Sequence, residues 1–347
     1  MLTQFGQTPE TTIVQRAIIT GGAGFVGANL TRRLQQLHPN ADLLVIDDLR
    51  GGHFANLCDE RPGDFGPYRG RFDARSVTEI DWAELIREER PDALFHLASI
   101  TDTRVMDQRE MMLDNVPPFE AMVDACRDAG VRLVWSSSAA TYGTTANGAT
   151  PERRPFKLDD AGEPANVYGF SKWIMENVHR RAVAADPTFH IVGLRYFNVY
   201  GPGESYKGSM ASMIHQLTCQ VLDGKRPRIF TDGTQARDQV AVHDVVDATI
   251  AGASPDSTPG IYNLGCGQAT SFNQIVAYIN EALGTSHEAE FFDNPYPFYQ
   301  DYTCADISET CAKLNWSPRH EPRESIVAYA RWLASRAGVD TLVTNPS

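Results

Sequence analysis

The chain has 347 residues, 42% of them hydrophobic and 22% charged; this is ordinary globular usage, which excludes disorder as the starting expectation and allows a sizeable core without disulfides. A formal net charge of -13 disfavours general affinity for nucleic acid or anionic lipid, although a local basic cleft could still take an anionic substrate. The six cysteines are scattered, with no C-x-x-C pair and no histidines at metal spacing, so free thiols in a reducing cytosol are expected and a metal site is not.

Residues 1–15 are polar and carry neither a basic nor an apolar leader region, so they read as a loose tail and not a secretory signal. No stretch approaches the roughly 20 apolar residues of a membrane span. Residues 17–20 (AIIT) then read as a strand, and residues 25–37 as a helix. Residues 42–47 (DLLVID) form a second strand, and the charged run Glu88-Glu89-Arg90 reads as a solvated helix end. Strands follow at 93–98 (ALFHLA) and 132–138 (RLVWSSS), with a helix over 114–129 between them. A helix over 168–185 precedes a strand over 190–197. Strands alternating with helices predict a doubly wound α/β fold, a parallel sheet with helices on both faces. Residues 16–197 would be its dinucleotide-binding domain, completed by parts of 240–285 near Tyr262-Asn263-Leu264. After Asn198 the pattern loosens. Helices are expected over 209–222, 243–253, 271–283 and 308–314, with a short strand at 228–230. Residues 198–347 thus read mainly as a smaller, substrate-binding lobe over the strand ends.

The segment Gly21-Gly22-Ala23-Gly24-Phe25-Val26-Gly27 lies between the first strand and the first helix. Glycines at 21, 24 and 27 permit a tight turn and close approach to a pyrophosphate, which the helix N-terminus favours. A glycine triplet alone says little; its place after the first strand makes it a dinucleotide-binding signal. Asp47 ends the second strand, twenty residues after Gly27, where a carboxylate can accept from ribose hydroxyls. Asp48 adds negative charge that disfavours a 2′-phosphate. NAD is therefore favoured, while Arg50 or His53 could offset that charge and leave NADP possible. Asp73, in Phe72-Asp73-Ala74, sits where it could contact adenine or be an ordinary loop residue.

Tyr168 and Lys172 lie four apart, on one face of a helix. A phenol titrates near 10 and is a poor base at neutral pH, but a neighbouring ammonium and a positive nicotinamide favour its phenolate. Tyr168 could then take a hydroxyl proton while hydride leaves the same carbon, and Lys172 could hold the nicotinamide ribose. Such a pair is commonplace on helix surfaces. Its place after the RLVWSSS strand points to catalysis. Ser138, at the carboxyl end of that strand, is assigned to the reacting oxygen, with Thr141 as a weaker candidate.

These blocks carry a family resemblance over residues 16–332. TGGAGFVG, HLA at 96–98, SSSAATYG at 136–143 and YGFSK resemble the extended short-chain dehydrogenase/reductases, the NAD-dependent epimerase/dehydratase family. More narrowly, NVYGFSK, RYFNVYGP at 195–202, KGSMASM at 207–213, ARD at 236–238 and YQ-x-x-T-x-AD at 299–306 are similar to the ADP-L-glycero-D-manno-heptose 6-epimerases. The resemblance implies a Rossmann fold, a nucleotide-sugar substrate, a homo-oligomer and a cytoplasmic setting. It implies Tyr168 as one acid/base and Lys207 as the second. It places Asn198, Ser209, Phe230, Arg237 and Tyr299 at the substrate. Phe25, Val26, Asp47, Asp48, Asn115, Lys172 and Val199 fall at the cofactor, joined by Leu97 and Ala98 of the HLA block. Three positions depart from the pattern. Gln216 stands where the heptose enzymes have a substrate-contacting histidine, His53 replaces a lysine that helps hold a 2′-phosphate, and Gln239 replaces an aromatic.

A carbinol C–H is not acidic enough for simple proton abstraction, so inversion would pass through a ketone that turns in the pocket and is reduced on its other face. Groups on both sides of the substrate would serve it, which is the physical case for a Tyr168/Lys207 pair. The dehydratases and decarboxylases of the family carry an acid just after the strand-end serine; residues 138–142 here (SAATY) hold none. A UDP-sugar 4-epimerase is the nearest rival. A non-catalytic dinucleotide sensor or scaffold would typically lose the Tyr or the Lys, and both are present.

Overall fold

The computed structural model describes residues 14–58, 66–102, 107–143, 153–293 and 300–337. Its first half runs β1 (Arg16–Thr20), α1 (Phe25–Leu37), β2 (Asp42–Ile46), the single turn α2 (Ala55–Cys58), β3 (Arg71–Asp73), α3 (Trp82–Glu89), β4 (Ala93–His96), α4 (Gln108–Asn115), α5 (Pro117–Ala129), β5 (Arg132–Ser138), α6 (Val167–Ala185) and β6 (Ile191–Tyr196). The second half runs β7 (Asn198–Tyr200), α7 (Met213–Leu222), β8 (Arg228–Phe230), β9 (Ala236–Ala241), α8 (Val242–Gly252), β10 (Gly260–Leu264), β11 (Ala269–Ser271), α9 (Phe272–Leu283), β12 (Glu290–Phe292), α10 (Ser308–Leu314) and α11 (Pro322–Arg336).

Seven strands form one sheet in the order β10-β6-β5-β4-β1-β2-β3, every pair parallel. The doubly wound reading holds. The continuous apolar runs of the inner strands are explained by burial on both faces. Ile19, Val45, Phe95 and Val134 face one core with α1 and α8. Their neighbours Ile18, Leu44, Leu94, Leu133 and Trp135 face the other, with α3, α5 and α6. The chain winds outward from β1 through β2 and β3, then returns to the far side of β1 as β4. The crevice beyond the carboxyl ends of β1 and β4 is the switch point at which such sheets bind ligands.

A second body packs Ile214, Leu217 and Val221 of α7 with Ile275 and Ile279 of α9 and with Ile326, Tyr329 and Leu333 of α11. Two small sheets, β11-β9-β7 and β12-β8, flank it. The two bodies are joined by buried polar contacts. Asp238 on β9 is fully buried and accepts from Cys266 N (2.7 Å), Gly267 N (3.0 Å) and Ala305 N (3.0 Å). This pins the chain leaving β10 to the lobe.

Several boundaries differ from expectation for identifiable reasons. The helix expected over 209–222 begins at Met213, because Gly208 takes a positive φ of 54° and the Ser212 side chain caps the helix by accepting from His215 N. The stretch expected as one helix over 114–129 is two, α4 and α5, with Pro117 starting the second. The run Glu88-Glu89-Arg90 ends α3, with Arg90 left-handed at φ 45°. Helix α11 adds to the expected elements although Ile326, Tyr329, Ala330 and Leu333 follow the i, i+3, i+4, i+7 pattern behind Pro322; the three-residue strands β3, β7, β11 and β12 are too short to show a period. Among the described residues, no helix is long and apolar enough to cross a membrane. No group of three or more His, Cys, Asp or Glu among them is placed to hold a metal.

Candidate active site

The glycine-rich turn is built by close backbone approach. Gly21 has φ 68°, and a Cβ there would lie 2.6 Å from Ala98 N. A Cβ on Gly27 would lie 2.0 Å from Gly21 O. Only hydrogen fits at either position. Gly24 caps α1 with no side-chain acceptor, which leaves the first-turn N–H groups and the positive helix end for an anion. Leu97 and Ala98 back this turn from the end of β4. Phe25 is buried against it, and Val26 is half-buried.

Asp47 is buried at the end of β2. Its carboxylate accepts from Ala23 N (2.8 Å) and Leu49 N (2.9 Å), so it shapes the glycine turn while keeping lone pairs for ribose hydroxyls. Burial raises its pKa, against the pull of those N–H groups. Arg50, considered for a 2′-phosphate, bonds Asp48 (2.6 Å) and Asp114 (2.7 Å). His53 lies flat on Tyr206, ring centroids 4.0 Å apart and 4° from parallel, and its Nδ1 accepts from Ala55 N (3.2 Å). The carboxylates of Asp47 and Asp48, with Arg50 held by acids, suit the free ribose hydroxyls of NAD. Asp73 closes on Arg75 (2.7 Å), which lowers its pKa, while its carbonyl accepts from Asp47 N (3.0 Å). Asn115 is fully buried. Its Oδ1 accepts from Ile100 N (2.9 Å), and its Nδ2 donates to Ile100 O (3.2 Å) and Ser171 Oγ (3.1 Å). It clamps the loop after β4 to α6.

The structure brings Tyr168, Ser138 and Lys172 together. Burial raises the Tyr168 phenol above its ordinary value, and the nearby Ser138 hydroxyl opposes the rise. Ser138 Oγ also accepts from Ala140 N (3.1 Å). Thr141 is not available, because it is fully buried and donates to Ser138 O (2.9 Å). Lys172 is 1% exposed. Its Nζ donates to Ser99 Oγ (2.6 Å) and Ser136 O (2.8 Å) and stands 5.9 Å from the centre of the Tyr168 ring. Burial lowers it to about 7.

Sequence reasoning missed what supports this group. Glu176, one turn beyond Lys172 on α6, is fully buried and bonded to Arg195 of β6 at 2.7 Å and 2.8 Å and to Ser137 Oγ of β5 at 2.7 Å. Arg195 continues to Tyr142 Oη (2.9 Å), which donates to Asn263 Oδ1 (2.5 Å) on β10. The i, i+4 spacing of 168, 172 and 176 was the available signal. Ser99 stood one residue past the HLA block.

The remaining candidates lie on the second body. Lys207 is half-buried, and its Nζ stands 5.3 Å above the centre of the Phe25 ring. Burial lowers its pKa and Glu204 opposes the shift. Asn198 and Ser209 are exposed, and Val199 on β7 is half-buried. Arg237 is buried on β9 and donates to Ala236 O (3.0 Å). Phe230 ends β8 edge-to-face with Phe292 at 4.8 Å. Gln216 donates to Ala211 O (2.7 Å) and Ser209 O (3.3 Å), turning its amide into the preceding loop. Tyr299 lies outside the described residues.

Comparison with known proteins gives a consistent family match. The family model described as NAD dependent epimerase/dehydratase matches residues 17–265. The ADP-L-glycero-D-manno-heptose-6-epimerase of Helicobacter pylori is similar over 94% of this chain and 98% of its own, with 32% identity and a TM-score of 0.80. MoeE5, solved with UDP-glucuronic acid and NAD, is 26% identical, with a TM-score of 0.75 over 93% of this chain and 100% of its own. The UDP-glucose 4-epimerase of Thermotoga maritima, at 24% identity and a TM-score of 0.80 over 93% and 99%, shares the fold.

Proposed function

The chain belongs to the NAD dependent epimerase/dehydratase family, and from that premise we propose that it inverts a carbinol carbon of a nucleotide-linked heptose, in the manner of an ADP-glycero-manno-heptose 6-epimerase. Residues 21–27 would hold the cofactor's pyrophosphate, Asp47 its adenosine ribose and Lys172 its nicotinamide ribose. NAD, when bound, supplies reversible hydride exchange with the carbinol carbon. The chain's own groups move the proton. Tyr168 takes it from the substrate hydroxyl onto the phenolic oxygen, and Ser138 holds the same oxygen in place. In the ligand-free state burial raises the phenol, so its service as a base depends on positive charge brought beside it, that of the nicotinamide and, in its ammonium form, that of Lys172. A second acid/base on the opposite side of the substrate would serve inversion, and Lys207 is the candidate.

The observation that carries the 6-epimerase reading is Lys207 itself. A loop lysine is ordinarily hydrated and charged. This one is turned inward over Phe25, with its pKa lowered by burial. The family resemblance of KGSMASM supports the same role. One observation favours a second reading, a UDP-sugar 4-epimerase. Gln216 occupies the position of a substrate-contacting histidine, and its amide is spent on its own loop.

NMR of the products after incubation with ADP-heptose and with UDP-hexoses decides between the two readings. Inversion at C6 of the heptose is expected. Inversion at C4 of a hexose alone would replace the first reading by the second. Tyr168→Phe should slow the reaction roughly 10²–10⁴-fold with fold and cofactor content unchanged. Near-native turnover would remove Tyr168 from its role. Denaturing the purified protein and chromatographing the released nucleotide should yield mainly NAD.

A further inference from the structure

Glu204 lies in the loop between β7 and α7, is fully buried, and takes no part in the proton transfers above. Its carboxylate is spent on the two ends of that loop. Oε1 accepts from Gly201 N (3.1 Å) and from Ser212 Oγ (2.9 Å), and Oε2 accepts from Ser212 N (2.5 Å). Gly201 leaves β7 with φ 139°, and Ser212 is the cap of α7. Between them, Lys207 N donates to Glu204 O (2.9 Å), and Gly208 turns the chain immediately after Lys207 with φ 54°.

The closed loop is tied to the nucleotide-binding half at three points. Asn29 of α1 donates to Pro202 O (2.9 Å) and to Phe25 O (2.8 Å). Tyr206 stacks on His53. Lys207 Nζ stands over Phe25. The loop is therefore a strap laid across the start of α1, with Lys207 near its middle. Ordering a loop of this length costs conformational entropy that the contacts closing it must offset.

We propose that Glu204 is a positioning residue for Lys207: its buried carboxylate joins Gly201 to Ser212, closes the strap, and so presents the Lys207 ammonium to the sugar site and not to solvent. The proposal rests on the reading of Lys207 as the second acid/base. The chemistry of the staple selects a carboxylate. All three partners are donors, and an ionised carboxylate is an acceptor only. A glutamine would turn an amide N–H₂ toward one of them. Glu204 also acts on Lys207 electrostatically, favouring its charged form against burial. On the α1 side that ammonium faces the Phe25 ring, and the titratable His53 is stacked on the neighbouring strap residue Tyr206.

Three full-length variants with their cofactor test this: Lys207→Met, Glu204→Gln and Glu204→Asp. Lys207→Met should lose inversion. Glu204→Gln should lower kcat for inversion by about 10²-fold, the effect of an ångström-scale misplacement, with cofactor content unchanged. Amide hydrogen exchange across residues 201–212 should accelerate. The pH limb belonging to Lys207 should move to lower pH, because the carboxylate that helps retain its proton is gone. Glu204→Asp keeps the charge but is one methylene short of spanning the loop. It should restore the pH limb and leave exchange fast. If Lys207→Met is inactive while Glu204→Gln inverts at the native rate with native exchange, Glu204 is not a positioning residue. If Lys207→Met itself inverts normally, the underlying reading of Lys207 fails, and the exchange data alone decide whether Glu204 closes the strap. Should Glu204→Gln fail to fold, Ser212→Ala removes one staple bond together with the α7 cap and keeps the charge. Faster exchange back to residue 201, beyond the first turn of α7 that the lost cap frays, is then expected, and unchanged exchange over 201–207 overturns the proposal.

Discussion

Lys172 shows what burial does to a single side chain. Burial lowers its ammonium from the ordinary 10.5 to about 7. His96 beside it is driven the same way, to about 3, by burial and by the lysine's charge. It stays neutral, with Nδ1 paired to Thr20 Oγ1 at 2.8 Å, so no second cation is buried next to Lys172. The consequence for stability has a definite sign. Between about 7 and 10.5 the unfolded chain holds the lysine proton and the folded chain has released it. The unfolded state binds more protons there, so folding stability rises with pH through that window, and the burial penalty is greatest below it. Lys172→Met in the ligand-free protein should therefore be most favourable, relative to the native chain, near pH 6. That advantage should shrink toward pH 10 by at most about 1.4 kcal/mol per pH unit. Urea unfolding of both proteins across this range measures it. A difference independent of pH would show that the ammonium is not desolvated. Tyr168, Lys172 and Ser138 were legible as residues because their spacing follows from helix and strand geometry. Ser99 was not, since one serine near a strand end has many uses.

At the scale of elements, α6 is the part on which the site depends. It carries Tyr168, Lys172 and Glu176 on successive turns, and the buried Glu176–Arg195 pair locks it to β5 and β6. Removing one partner of a buried pair leaves an uncompensated charge, which costs about 3–5 kcal/mol. Glu176→Gln should lose stability on that scale, and adding Arg195→Met should cost less than the sum of the two single changes. Denaturant titrations of the singles and the double give the answer. A single-variant loss under about 1 kcal/mol would mean that α6 is held by its apolar face alone. Helices such as α1, α6, α9 and α10 were readable from the sequence. The break between Gly208 and Ser212 was not, because Gly208's positive φ and Ser212's capping bond are properties of the folded loop.

On the scale of the whole molecule, the order of the chain and the order of the sheet part company after residue 197. β10 enters the large sheet beside β6 from far along the sequence. All eleven residues of α8 are buried, and its Val242, Val245, Val246 and Ile250 complete the core above α1. A fragment of residues 1–197 would expose that surface and leave β6 as an edge strand, paired only with β5. It should show no cooperative thermal transition, whereas the full chain should melt cooperatively. A cooperative melt of the fragment, followed by circular dichroism, would show that the nucleotide-binding half is independent of α8 and β10.

The sequence by itself determined the fold class, the glycine cradle with Asp47, and the Tyr168–Lys172 pair, because each is written in short-range spacing: an alternation of strand and helix, a G-x-x-G-x-x-G turn, an i, i+4 step on one helix. Only the tertiary structure decided which polar groups are spent internally. Arg50 goes to Asp48 and Asp114, and Gln216 turns back into its own loop. It also decided that Lys207 turns inward over Phe25 and that Glu204 closes the strap beneath it. These facts depend on contacts between segments far apart in the chain. A side chain's partner is fixed by the packing of whole elements, and residue spacing carries no record of that packing.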